Sequence, residues 1–129
     1  MPTPKPCAVL FVDDVPRLTR FYQELAQMSL VHRDASHAVL EVDGLELVIH
    51  ALPPRPADPD HPGSQVEVRE DSYLKLCFPV PSIAGARAVA ATLGGAIGPP
   101  AKEWGARGFR ACDGNDPEGN VLQVREATA

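Results

Sequence analysis

The chain has 129 residues, with 12 basic and 17 acidic side chains and a formal net charge of −5. That length points to one domain. The acidic balance, with no Lys/Arg run, argues against nucleic-acid binding, which needs a basic face. No apolar run reaches the ~18 residues of a membrane span, and the start, Met1-Pro-Thr-Pro-Lys-Pro6, lacks the apolar stretch of a signal peptide. Cys7, Cys77 and Cys112 cannot all pair and lack CxxC spacing. A reduced, cytoplasmic protein is the expectation.

Ala8 to Val12 is a short apolar run that predicts a strand. Asp14 follows as an N-cap with Pro16 in the first helical turn. Leu18, Phe21, Tyr22 and Leu25 then share one helix face and belong to the core. His37–Val42 and Leu45–His50 flank Asp43-Gly44, a dipeptide suited to a tight hairpin turn. The first half therefore reads β-α-β-β-β, over residues 5–51.

Residues 52–70 form a polar connector, and five of the chain's 14 prolines lie between Pro53 and Pro62. The second half, 71–127, repeats the order. Tyr73 to Val80 predicts a strand, and Ser82 is the next cap. Ile83, Ala86, Val89, Ala90 and Leu93 form a helix face ended by Gly94-Gly95. Strand-like segments follow near Ala96, around Gly105–Cys112 and at Val121–Arg125. The turn Asp116-Pro-Glu-Gly-Asn120 separates the last two.

The halves match one another. A shift of 68 pairs Leu10 with Phe78, Asp14 with Ser82, and Leu18, Phe21, Tyr22 and Leu25 with Ala86, Val89, Ala90 and Leu93. A shift of 75 pairs Gly44–Val48 with Gly119–Gln123, so the second copy carries a net seven-residue insertion before its last strand. The expected fold is α+β, with two βαβββ modules forming a curved eight-stranded cleft and one helix backing each module. Alternation along the strands then selects the residues that line such a cleft.

The duplication, the opening Val12-Asp-Asp-Val15…Phe21-Tyr22, the segment Glu103-Trp-Gly-Ala-Arg107…Phe109 and the Asp116–Asn120 turn resemble the vicinal-oxygen-chelate superfamily. That group includes glyoxalase I, bleomycin-resistance and fosfomycin-resistance proteins and extradiol dioxygenases. The stretch from Phe109 to Asp116 is longer than the family's commonest spacing. The resemblance covers nearly the whole 1–129 chain and implies a homodimer with a small-molecule ligand in the cleft.

In metal-dependent members the ligands come from the first and last strands of each module. The matching positions here hold Cys7, Val48, Lys75 and Gln123. Val has no donor and an ammonium repels a cation, so no metal, no cofactor and no catalytic residue is expected. His50, on the face of Val48, could join Cys7 and Gln123 in an unorthodox site, and a lyase or dioxygenase using these substituted ligands is the alternative. Cys7 as a nucleophile activated by Lys75 is a further alternative, and a regulatory module with a vestigial cavity is another. His32, His37 and His61 read as surface residues, and Cys112 as a residue near a turn.

The candidate ligand-binding residues are Cys7, Val9 and Phe11; Glu46, Val48 and His50; and Lys75, Trp104, Arg107, Phe109 and Gln123. Together they make an apolar floor with a few polar groups. Trp104 could stack on a planar ligand, Arg107 and Lys75 could hold an anionic group, and Glu46 could instead pair with either cation. The leading reading is a metal-independent binding protein of bleomycin-resistance type that sequesters a toxic compound or antibiotic.

Overall fold

A computed structural model describes residues 3–53 and 67–128. The chain divides into two compact units, Met1–Pro53 and Pro54–Ala129.

The first unit opens with β1 (Cys7–Val12), followed by α1 (Val15–Leu25), β2 (Ser29–Arg33), β3 (His37–Val42) and β4 (Leu45–Ala51). The sheet order is β1-β4-β3-β2. β1 runs parallel to β4, and the other pairings are antiparallel. Asp14 caps α1 by accepting a hydrogen bond from the Arg17 N–H at 3.1 Å, and Pro16 sits in the first turn. Asp43 and Gly44 take φ of 49° and 84°, the left-handed pair that a two-residue hairpin requires. The core lies between α1 and the sheet. Leu18, Phe21, Tyr22 and Leu25 bury against the side of the sheet that presents Ala38, Leu40, Leu47 and Ile49. At about 25 cal/mol per Å² of apolar surface buried, this face is the main source of the unit's stability.

The second unit holds β5 (Leu76–Pro79), α2 (Ile83–Thr92), β6 (Ala96–Ile97), a 3-10 turn at Pro100–Lys102, β7 (Trp104–Gly105), β8 (Phe109–Asn115) and β9 (Val121–Ala127). The order is β5-β9-β8-β6, with β7 also paired to β8. Ser82 caps α2 by accepting from the Gly85 N–H at 3.0 Å. Ile83, Ala86 and Ala90 are buried with Phe78, Cys112, Leu122 and Val124. Val89 and Leu93, expected on the same helix face, are only half-buried.

The duplication is real at the level of strand register. Residue i of β1 pairs with i+39 of β4, whereas residue i of β5 pairs with i+46 of β9. The difference is the seven-residue insertion, and it falls chiefly between β6 and β8. There it builds the 3-10 turn and β7. Among the described residues there are thus nine strands and not eight, because the inserted loop folds back to pair with β8. Two further expectations change. Tyr73 and Leu74 are exposed and precede the strand, which starts at Leu76. Cys112 is not near a turn but fully buried within β8. His61 and most of the proline-rich connector lie outside the described residues.

Candidate functional site

In the first unit, alternation turns Cys7, Val9 and Phe11 away from α1, together with Glu46, Val48 and His50. Register places these side chains in rows across the sheet. Cys7, Glu46 and Glu41 form one row, Val9, Val48 and Val39 the next, and Phe11, His50 and His37 the third. All six candidate residues of this unit therefore share one face. Val9 and Phe11 are about half exposed, at 49% and 51%.

The third row is a run of rings. Phe11 and His50 have centroids 5.5 Å apart, His50 and His37 stack at 5.7 Å with planes 17° apart, and His37 meets His32 of β2 at 5.1 Å. His50 Nδ1 lies 2.8 Å from the Ala51 carbonyl oxygen. A carbonyl only accepts, so Nδ1 is the donor of this contact. His50 is thus a half-buried member of a stack, and His37 is half-buried beside it. Cys7 faces Glu46 across the sheet, a carboxylate and not an activating cation. Glu41 takes the cation of this corner by pairing with Lys5.

In the second unit Lys75 and Gln123 are brought together by Asp113, which sequence reasoning did not select. Lys75 Nζ lies 3.1 Å from one Asp113 oxygen, and Gln123 Nε2 donates to the other at 2.9 Å. Arg125 Nε donates to Gln123 Oε1 at 2.7 Å. The Arg125 guanidinium lies 4.5 Å from the Phe109 ring centroid and that of Arg107 lies 5.3 Å from it. Trp104 meets Phe109 edge-on at 6.3 Å. Burial alone raises the Asp113 pKa, but the Gln123 hydrogen bond and Lys75 outweigh it and hold the carboxyl below its ordinary value. Lys75 therefore pairs with the chain's own Asp113.

Asp113 was findable. A hairpin closed around Asp116–Asn120 sets Asp113 opposite Gln123, as the observed ladder does. A cavity of about 660 Å³ opens beside this ion pair, lined in part by Lys75, Asp113, Asn115, Ile97 and Val121. Of the candidate residues only Lys75 lines it. Gln123, Trp104, Arg107 and Phe109 belong to the neighbouring polar and ring network.

The four positions at which the family places metal ligands do not make a chelating set. Val48 has no donor atom. Lys75 is a cation engaged by Asp113. The Gln123 oxygen already accepts from a guanidinium, and Cys7 alone remains as a soft donor.

No family model matches the chain, and neither does any curated protein. Solved structures do. An integron cassette protein from the mobile metagenome of V. cholerae is 21% identical with a TM-score of 0.63, over 99% of this chain and 98% of its own. A glyoxalase/bleomycin resistance protein/dioxygenase family enzyme from Burkholderia phytofirmans PsJN is 14% identical with a TM-score of 0.65, over 95% and 97%. The fosfomycin resistance protein FosX from Listeria monocytogenes is 17% identical with a TM-score of 0.64, over 99% and 96%. No helix among the described residues is long and apolar enough to cross a membrane. At these identities the likeness is one of architecture, and the chain has the vicinal-oxygen-chelate fold shared by the glyoxalase, bleomycin-resistance and fosfomycin-resistance proteins.

Proposed function

We propose that this chain binds and sequesters a toxic compound or antibiotic without transforming it and without a metal, acting as a homodimer in the cytoplasm. The observation that supports this reading most directly is the environment of Gln123. Its oxygen accepts from Arg125 and its amide donates to Asp113, so the side chain that a metal would need is committed to its neighbours. The adjoining cavity, at about 660 Å³, has the size of a small-molecule site, ~300–1,000 Å³. Its lining mixes the apolar Ile97 and Val121 with the charged Lys75 and Asp113. The bleomycin- and fosfomycin-resistance proteins of like fold suggest the ligand class. All three cysteines are free thiols, which suits a reducing compartment.

Binding is measured with EDTA present, and a parallel arm without EDTA offers Mn(II) and follows turnover. Bleomycin, and then a panel of antibiotics and toxic aromatic compounds, are titrated against the full chain while Trp104 emission and melting temperature are read. Saturable binding in EDTA, lost when Ile97→Trp fills the cavity, is the expected result. Conversion of fosfomycin or another panel member that requires Mn(II) and stops with EDTA overturns the reading in favour of a metal-dependent enzyme. Indifference of both readouts to the whole panel overturns it in favour of a module without a ligand.

A further inference from the structure

We propose that the hairpin joining β2 to β3 is a site for a divalent transition metal, with His32, Asp34 and His37 as its protein ligands. The site is distinct from the strand positions Cys7, Val48, Lys75 and Gln123, and it is made within the first unit alone.

The backbone brings the three residues together through an irregularity. Ser29 pairs with Glu41 and Leu30 with Leu40, but after Val31 the register slips, so that His32 pairs with Val39. In an unbroken ladder His32 would stand opposite Ala38, whose side chain is fully buried on the face under α1. The bulge turns His32 to the open face instead, the side that also holds His37, and re-aiming a side chain is a common use of such bulges.

The distances suit a metal. Asp34 Oδ1 lies 3.1 Å from His37 Nδ1, and Oδ2 lies 3.4 Å from His32 Nε2. All three residues offer ligand atoms within 4.8 Å of one another. With metal–ligand bonds of ~2.1 Å, neighbouring donors stand about 3.0 Å apart in octahedral geometry and about 3.4 Å apart in tetrahedral geometry. Two imidazoles and a carboxylate select zinc, nickel, cobalt or copper over magnesium or calcium.

The groups behind the ligands are in place as well. Asp34 Oδ1 accepts from the Ser36 N–H at 2.8 Å, the Ser36 hydroxyl at 3.1 Å and the His37 N–H at 3.1 Å. This leaves Oδ2 facing the His32 ring. An exposed carboxylate such as Asp34 is ionised at neutral pH, as a metal ligand must be. His50, stacked on His37, sets the plane of that ring. Such outer partners orient metal ligands. His32 and Asp34 are about half exposed, so water completes the coordination. The metal would clip β2, an exposed edge strand, to β3.

The experiment uses untagged full chain, stripped with EDTA and desalted, then titrated with Zn(II) by calorimetry and with Co(II) by visible absorption. Binding of one metal per chain, with perturbation of the His32 and His37 imidazole resonances in NMR spectra of the unmutated protein, is expected. His32→Gln and His37→Gln lower the affinity at least about tenfold, while Cys7→Ser, away from the hairpin, retains both stoichiometry and affinity. Absence of heat and of a cobalt spectrum overturns the proposal, as does binding that survives both hairpin variants or that moves only other resonances. The NMR arm needs no variant, so a misfolded mutant leaves the outcome decided. Ligand sequestration is measured in EDTA, so the two readings fail independently.

Discussion

Val48 and Gln123 hold the same place in two copies of one sheet, Val48 beside Val9 and Gln123 beside Cys77. In the first copy the position continues an apolar row. In the second it carries an amide that is only 5% exposed and is wired to Asp113 and Arg125. One architecture thus presents two chemically different faces, and the polar one depends on Gln123.

Gln123→Leu removes the hydrogen bond that keeps the Asp113 carboxyl low while retaining Lys75. The Asp113 pKa should rise from its depressed value, which carboxyl NMR reads directly. The sign follows from linkage. A depressed folded pKa contributes stability above the ordinary value of 3.8 that is lost as pH falls through the folded pKa. The variant should melt lower than the parent at neutral pH, with the gap closing in acid. An equal gap at every pH would reduce Gln123 to a packing residue.

Glu103 anchors the inserted loop. Arg87 donates to its carboxylate at 2.7 Å and to the Gly98 carbonyl at 2.7 Å, and Arg110 approaches the other oxygen at 3.4 Å. The Arg87 hydrogen bond chiefly holds the Glu103 pKa below 4.5. The clamp therefore persists at pH 4.5 and opens only as pH falls through the lowered folded pKa. Trp104, the next residue, should report this as an acid transition in its emission. Arg87→Gln should show altered emission already at neutral pH and lose that transition. An unchanged acid transition in the variant would show that Glu103 does not govern the loop.

Asp116 organises the last hairpin. Its carboxylate is fully buried and accepts from the Glu118 N–H at 2.8 Å, the Asn120 N–H at 3.0 Å and the Asn120 amide at 2.9 Å. Asp116→Ala leaves these donors without their acceptor and should cost about 2–4 kcal/mol in denaturant unfolding. A cost below about 1 kcal/mol would mean that water replaces the carboxylate.

The parts legible in the sequence were those set by periodicity. Strand alternation put Cys7, Val9, Phe11, Glu46, Val48 and His50 on one face, and helical spacing put Leu18, Phe21, Tyr22 and Leu25 in the core. What escaped depends on where the chain breaks its own period. The bulge after Leu30 turns His32 to the open face, and no composition signal marks it. Trp104-Gly105 is too short to show alternation, so β7 emerged only from its pairing with β8. Asp113 was encoded in the hairpin register, but its importance arises from Lys75, 38 positions away along the chain.

Two glycines separate two physical demands. Gly44 has φ of 84° with open space where a Cβ would go, so Gly44→Ala meets only the left-handed penalty of about 1–2 kcal/mol. Gly114 has no positive φ, but a Cβ there would meet the Ala96 carbonyl oxygen and lie 2.6 Å from Ile97 Cδ1. The β6 backbone lies too close to accept a methyl. Gly114→Ala should therefore cost about 1–3 kcal/mol by overpacking, and it should also disturb the cavity that Gly114 and Ile97 both line. Gly44→Ala, at a turn tip in the first unit, should lower stability and leave that cavity unaltered. Denaturant midpoints give the two costs, and binding of a cavity ligand in EDTA separates the two causes. Ligand affinity that falls in Gly44→Ala and survives in Gly114→Ala would contradict the assignment of that cavity as the binding site.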